Sequence, residues 1–224
     1  MRTCALIPAF NEAPYIADVV ERTRPHVAEV VVIDDGSGDA TAELARTAGA
    51  TCLELSKNCG KASALRTGIA YARDRKFSHV ITLDGDGQHS PEDIPIMIRV
   101  AEETGADLII GARHFDRARM PAPRYFSNVI GSRLASALVG QKIQDSQSGF
   151  RLFRLDKLNG ANLRSRCYEL EMEILIKMAR SGCTIAHAPI STVYDAGQAR
   201  SKMKPVRDTV RVCLWSLAFR FLGA

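Results

Sequence analysis

Two aspartates one residue apart, Asp84 and Asp86, follow a short apolar run, His79–Leu83, that reads as a β-strand. Gln88 and His89 come next. Two carboxylates separated by one glycine at a strand end can grip a single hard cation. Mg2+ takes one or two protein carboxylates and completes its shell with water and substrate phosphate oxygens. The flanking glycines let the chain turn there without side-chain clashes. Other readings of the pair fail on the sequence itself. A calcium EF-hand loop needs glycine at its sixth position and glutamate at its twelfth, and here those are His89 and Pro95. A phosphatase with an aspartate nucleophile would carry the pair after the first strand, and nothing supplies its other parts. The Gly-x-Gly-x-x-Gly and Walker A phosphate loops are both absent.

The elements that must position this pair alternate cleanly over the first 110 residues. Strands are expected at Thr3–Ile7, Glu29–Ile33, Thr51–Leu55, His79–Leu83 and Asp107–Ile110. Helices are expected from Pro14 to Arg24, from an Asp39 cap to Gly49, over Lys61–Arg75, and from Ser90-Pro91 to Gly105. The continuous Glu-Val-Val-Val-Ile run suits a strand covered on both faces. Repeated strand–helix–strand units imply an α/β domain with a mostly parallel sheet. Ligands of such sheets bind beyond the carboxyl ends of the strands. Each of the five strands is followed there by polar or charged residues: Pro8-Ala-Phe10-Asn11-Glu12, Asp34-Asp35-Gly-Ser37, Lys57-Asn-Cys-Gly60-Lys61, Asp84-Gly-Asp86-Gly-Gln88-His89 and Gly111-Ala-Arg113. After Gly111 the rhythm changes. An Arg-rich stretch (Arg113, Arg117, Arg119, Arg124, Arg133) precedes a helix with Val129, Leu134 and Leu138. A polar loop, Asp145-Ser-Gln-Ser-Gly149, then leads into a strand at Arg151–Phe153, a helix at Tyr168–Arg180 and an extended run at Thr184–Tyr194.

The chain has 224 residues, enough for one such domain with a sizeable core. Lys and Arg number 30 against 25 Asp and Glu, a net charge of +5. Residues 200–224 carry the whole excess, with six basic side chains against Asp208. A neutral body with no aromatic platform beside its arginines argues against nucleic acid. The six cysteines have no C-x-x-C or zinc-ligand spacing and read as reduced thiols, hence a cytoplasmic chain. Met1 leads almost directly into a strand with no leader-like run, and no apolar stretch is long enough to span a bilayer.

The ordered segments Pro8-Ala-Phe-Asn-Glu12, Asp34-Asp-Gly-Ser37, Gly60-Lys-Ala-x-Ala-Leu-x-x-Gly68 and Asp84-Gly-Asp-Gly-Gln88 resemble the motifs of family 2 glycosyltransferases with the GT-A fold. Gly111-Ala-Arg113, Asp145-Ser-Gln-Ser-Gly-Phe-Arg151 and Pro189-Ile190…Tyr194…Gly197…Ser201-Lys202 extend the likeness to the dolichol-phosphate mannose synthase and polyprenyl-phosphate glycosyltransferase branch. It covers about residues 1–204. The resemblance implies a metal-dependent, inverting transfer of a hexose from GDP-mannose or UDP-glucose to a polyprenyl phosphate. It places Pro8, Phe10, Glu12, Ile33, Asp34, Asp35, Gly60, Lys61 and Asp84 at the nucleotide. It places Asp84, Asp86 and Gln88 on Mg2+ or Mn2+, and Arg113, Arg124, Ser201 and Lys202 at the acceptor phosphate. Asp86, Asp145, Arg113 and Arg124 form the expected catalytic set. A phosphate monoester is already anionic near neutral pH, whereas a sugar hydroxyl would require a general base, for which Asp145 is the candidate. His89 reads as a capping residue or a metal neighbour, and Glu169 and Glu171 as a surface pair or a sugar contact.

Residues 1–199 are thus expected to form the GT-A domain and 200–224 a basic amphipathic tail. In that tail Val210, Leu214, Leu217, Ala218 and Phe221 recur at helical spacing, with Trp215 beside them. Such a segment can lie in the headgroup plane of an anionic leaflet, placing the protein peripherally on the cytoplasmic face of the cell membrane. Packing on the domain, or on a second subunit of a homo-oligomer, is the alternative. Two alternatives for function stay open: a family 2 transferase acting on a saccharide or small-molecule hydroxyl, and a non-catalytic nucleotide-sugar-binding module.

Overall fold

The computed structural model of the chain describes residues 1–114, 122–158, 163, 165 and 169–191, with the side chains of Pro123 and Arg124 outside that description. Arg117, Arg119, Ser201, Lys202 and the amphipathic tail therefore lie outside the described residues.

Seven strands form one sheet in the order β3-β2-β1-β4-β6-β5-β7. They are β1 (Thr3–Ala9), β2 (Glu29–Asp34), β3 (Thr51–Glu54), β4 (His79–Thr82), β5 (Leu108–Arg113), β6 (Arg151–Arg154) and β7 (Ile185–Ile190). The helices are α1 (Ile16–Thr23), α2 (Thr41–Thr47), α3 (Lys61–Asp74), α4 (Ile94–Thr104), α5 (Ala122–Val139) and α6 (Glu169–Arg180). All strand pairs are parallel except those of β6, which runs antiparallel to β4 and β5. Strand order reverses between β1 and β4, and open α/β sheets bind ligands in the crevice at that point. Because β6 runs backwards, its first residue rather than its last reaches the ligand rim. Arg151 pairs with Thr82 and Ile110 there.

The apolar run of β2 is explained by cover on both faces. Val31 and Ile33 join Leu6, Leu65, Ile69 and Leu175 beneath α3 and α6. Val30 and Val32 join Ile7, Val20, Ile94 and Met97 on the side of α1 and α4.

Some local expectations need correction. The α1 helix opens at Ile16, because the Glu12 carbonyl first closes a turn by accepting the Tyr15 and Ile16 amides, both at 2.9 Å. Ala40, not Asp39, is the cap residue of α2; Asp39 stands one position earlier and accepts the Thr41 amide at 3.1 Å. A 3-10 turn at Pro91–Asp93 precedes α4, which closes at Gly105 in the left-handed region, φ +65°. Among the described residues no helix is long and apolar enough to cross a membrane.

Candidate active site

The loops after β1 and β2 are stitched into one wall. Asp34 Oδ1 accepts the Ser37 amide at 3.0 Å and also the Ser37 hydroxyl. Ser37 Oγ accepts the Asn11 amide at 2.9 Å, and Asn11 Oδ1 accepts the Gly38 amide at 2.9 Å. Thr41 Oγ1 accepts the Glu12 amide at 2.9 Å. Asp35 reaches the next loop instead, accepting the Cys59 amide at 2.8 Å and the Gly60 amide at 2.7 Å, one on each carboxylate oxygen. Gly60, at φ +89°, then opens α3 and presents Lys61. This wall corrects one expected role and adds a task to two others. Ile33 turns its side chain into the core under α3 and is fully enclosed, so a base could meet only its backbone. Asp34 and Asp35 are buried and spend oxygens on fixing the loops. Pro8 pairs with Ile33 across the strands, and Pro8, Phe10 and Glu12 remain half-buried along the rim.

Asp84 and Asp86 stand at the end of β4, and their surroundings drive them apart. Burial alone would raise the Asp84 carboxyl, but the Lys61 ammonium, 2.6 Å from its Oδ1, holds it below the ordinary aspartate value. Burial, then the charge of Asp84 with a further contribution from Glu12, pushes Asp86 up to about 6, although the Gln88 amide donates to its Oδ1 at 3.0 Å. Lys61 also lies 2.8 Å from Glu171 Oε1 on α6. Burial would lower its ammonium, and the two carboxylates outweigh that and carry it above the usual lysine range. Behind the pair sits His89. Its Nδ1 accepts the Asp84 amide at 3.1 Å, its ring centroid is 5.2 Å from that of Phe150, and burial lowers its pKa to about 4. His89 is therefore a neutral prop with its proton on Nε2, not a cation ligand through Nδ1. Gly149 closes over the group: a Cβ there would lie 2.9 Å from Lys61 Nζ and 3.2 Å from Asp84 Oδ2.

This set fits a divalent cation. Asp86 has no ion-pair partner among the described residues, and burial first, then the negative charge of Asp84, raises its pKa. No three His, Cys, Asp or Glu side chains among the described residues converge at metal-ligand distances. A cation on Asp84 and Asp86 would therefore draw its other ligands from Gln88, water and a diphosphate, the habit of Mg2+.

On the other side of β4 lies the second constellation. Asp145 is 0% exposed and meets Arg113 side-on: Nε to Oδ2 at 2.6 Å and a terminal nitrogen to Oδ1 at 3.0 Å. The Gln147 amide adds a bond at 3.2 Å. The two-point fork fixes the guanidinium plane. Arg113 and Asp145 are thus brought together; the Arg124 side chain, Ser201 and Lys202 lie outside the described residues. Two features escaped the sequence reading. Arg151 is a fully buried arginine whose nitrogens bind three carbonyls, those of Ser146 (2.8 Å), Ser148 (2.9 Å) and Glu171 (2.5 Å). It ties the Asp145–Gly149 loop to α6, and its place at the end of the Asp145–Arg151 motif was the available signal. Glu169 and Glu171 are not a surface pair: both are turned inward, the Glu171 side chain 13% exposed.

Residues 4–160 match glycosyl transferase family 2. The chain belongs to this family. It is 29% identical to the undecaprenyl-phosphate mannosyltransferase of Micrococcus luteus, over 100% of this chain and 97% of that protein. It is 32% identical to the dolichyl-phosphate hexose transferase of Haloferax volcanii, over 92% of this chain and 91% of the relative. Among solved structures, glucosyl-3-phosphoglycerate synthase from Mycobacterium tuberculosis, in complex with Mn2+, UDP and glucosyl-3-phosphoglycerate, superposes with a TM-score of 0.72. That match covers 98% of this chain and 79% of the other at 19% identity. The architecture is accordingly the GT-A fold, and the protein is a family 2 glycosyltransferase. Its rim of Asp84, Asp86 and Lys61 occupies the switch-point crevice that the fold offers to ligands.

Proposed function

We propose that this family 2 transferase moves a hexose, with inversion, from GDP-mannose or UDP-glucose to a polyprenyl phosphate at the cytoplasmic face of the membrane. One observation carries the choice of acceptor. Asp145, the residue a hydroxyl acceptor would need as its base, is fully enclosed and holds Arg113 through both oxygens. A general base must reach the proton it removes. A phosphate acceptor has no such proton to lose, its second pKa being about 6, and it gains from a fixed guanidinium. Both curated relatives described above carry a polyprenyl phosphate in their names, which supports the same acceptor.

In this reading the walls built by Pro8, Phe10, Glu12, Asp34, Asp35 and Gly60 receive the nucleoside. Asp84, Asp86 and Gln88 would hold Mg2+ or Mn2+, which would supply positive charge against the diphosphate. Lys61 lies where it can meet the same phosphates. Arg113 orients the acceptor, a task the sequence resemblance also gives to Arg124, Ser201 and Lys202. An acceptor phosphate oxygen forms a bond to the anomeric carbon as the bond to the diphosphate breaks, and the leaving group keeps the electron pair. No proton moves. Exposed Phe126 and Ile130 on α5 support attachment to a lipid surface.

Purified protein, Mn2+, labelled GDP-mannose or UDP-glucose and undecaprenyl phosphate should yield lipid-soluble label. Asp145→Asn should weaken the acceptor's KM and melt earlier while leaving donor affinity intact, since an amide cannot hold Arg113 through two charge-assisted bonds. A collapse of turnover at unchanged acceptor KM would instead assign Asp145 as a base and the acceptor as a hydroxyl.

A further inference from the structure

Lys61 is the ammonium between two unequal carboxylates. Asp84, at 2.6 Å, belongs to the rim pair. Glu171, at 2.8 Å, lies behind it on α6. Glu171 uses only one oxygen. Its Oε2 is buried and has no hydrogen-bond partner, a condition native proteins seldom tolerate without a reason. Lys61 also sits on the carboxylate that a divalent cation would need. Two cations on one side of a carboxylate repel, and a partly buried site screens that repulsion poorly. The long, flexible stem of lysine lets the ammonium move while its backbone stays fixed at the start of α3. Gly149 leaves room for the movement, because any side chain there would press on Nζ.

We propose that Lys61 is an internal counter-cation with two stations: shared between Asp84 and Glu171 before ligands bind, and given up by Asp84 to Glu171, now through both oxygens, and to the phosphate oxygens when a divalent cation and a donor diphosphate arrive together. Glu171 is then a positioning residue, acting through Lys61. This rests on the reading that the rim takes a metal–diphosphate pair. The cation alone must displace an ammonium that gains little by leaving. With a diphosphate present, the displaced ammonium also gains phosphate oxygens. Metal and nucleotide therefore strengthen one another, and linkage makes that effect reciprocal.

Titration of the full chain with Mn2+, followed by the loss of the free-ion electron paramagnetic resonance signal, tests this with and without GDP or UDP. Wild type should bind Mn2+ weakly alone and more tightly with a nucleoside diphosphate. Lys61→Met should bind Mn2+ alone about tenfold tighter, and the enhancement by nucleotide should shrink by a similar factor. Glu171→Gln keeps the size but weakens the second station, so Mn2+ binding in the presence of nucleotide should fall about three- to tenfold. The opposite signs separate this device from a structural lesion, which would weaken both. Lys61→Gln repeats the first arm should the methionine variant fold poorly. Unchanged or weaker Mn2+ binding in the Lys61 variants overturns the proposal. Absence of Mn2+ binding by wild type with either nucleotide overturns the metal–diphosphate reading itself, and this inference with it.

Discussion

Asp86 and His89 are three residues apart, and burial shifts each toward its neutral form. For Asp86 the pKa rises to about 6, above the ordinary aspartate value of 3.8, so folding is favoured when it is protonated. That stability is present below the unfolded value and is lost as pH rises through 6. For His89 the pKa falls from 6.5 to about 4, so the unfolded chain binds the extra proton and stability is lost as pH falls from 6.5 toward 4. Each effect is about 3 kcal/mol when fully developed. Between pH 6 and 4 they oppose one another and flatten the combined dependence. Single variants should expose the components in urea titrations of the metal-free protein. Asp86→Asn should lose stability relative to wild type as the medium is acidified from pH 6 to 4, and it should be more stable than wild type at pH 7. His89→Gln, whose amide oxygen can still accept from the Asp84 amide, should gain relative to wild type over the same interval. Parallel curves for all three proteins would refute both assignments. A carboxylate that destabilises the empty fold at neutral pH is the kind of group retained for ligand binding, here for a cation.

At the scale of elements, α3 links core and site: its first residue is Lys61 and its middle lies flat on β1 and β2. Gly68 makes the close approach feasible, since a Cβ there would meet Ile33 Cδ1 at 2.8 Å and both Leu6 δ-methyls at 3.0 Å. Gly68→Ala should therefore cost about 1–3 kcal/mol of overpacking, offset by up to about 1 kcal/mol of helix propensity. Calorimetry should show Tm lower by about 2–6 °C; a rise would mean the helix stands farther off the sheet. Periodicity exposed this element and nearly all the others, because parallel strands buried on both faces read as unbroken apolar runs and amphipathic helices fill the gaps. The reversed direction of β6 was not legible, because four residues, Arg-Leu-Phe-Arg, carry no sign of their neighbour's direction. The rim pair was legible because its chemistry is local. The roles of Asp34 and Asp35 were not, since a carboxylate that fastens a loop and one that meets a ligand look alike until the amides of Ser37, Cys59 and Gly60 are placed. Glu171 was hidden for a stronger reason: its partner is 110 positions away, at Lys61, and alternation with Leu170 and Met172 resembles an ordinary half-exposed helix.

Over the whole molecule, charge and greasy surface are distributed unevenly. The body to residue 199 is neutral, and the basic excess sits in the last 25 residues. Helix α5 follows directly on the Arg-rich stretch after β5. It leaves Phe126 50% and Ile130 58% exposed, one helical turn apart, with exposed Arg133 near them. Large apolar groups rimmed by arginine suit a surface that is apolar within and anionic outside. The proposed acceptor is anchored in such a surface, so an enzyme facing it would gain by holding itself there. Burying the remaining exposed area of the two side chains is worth about 2 kcal/mol, or roughly thirtyfold in partitioning. Wild type should co-sediment with vesicles containing phosphatidylglycerol and detach as salt is raised. The double variant Phe126→Ser, Ile130→Ser should bind the same vesicles roughly thirtyfold more weakly while keeping its Mn2+ and nucleotide affinities. Unchanged partitioning would place the lipid contact elsewhere on the chain. Loss of nucleotide binding together with partitioning would mean that α5 shapes the donor crevice rather than the membrane face.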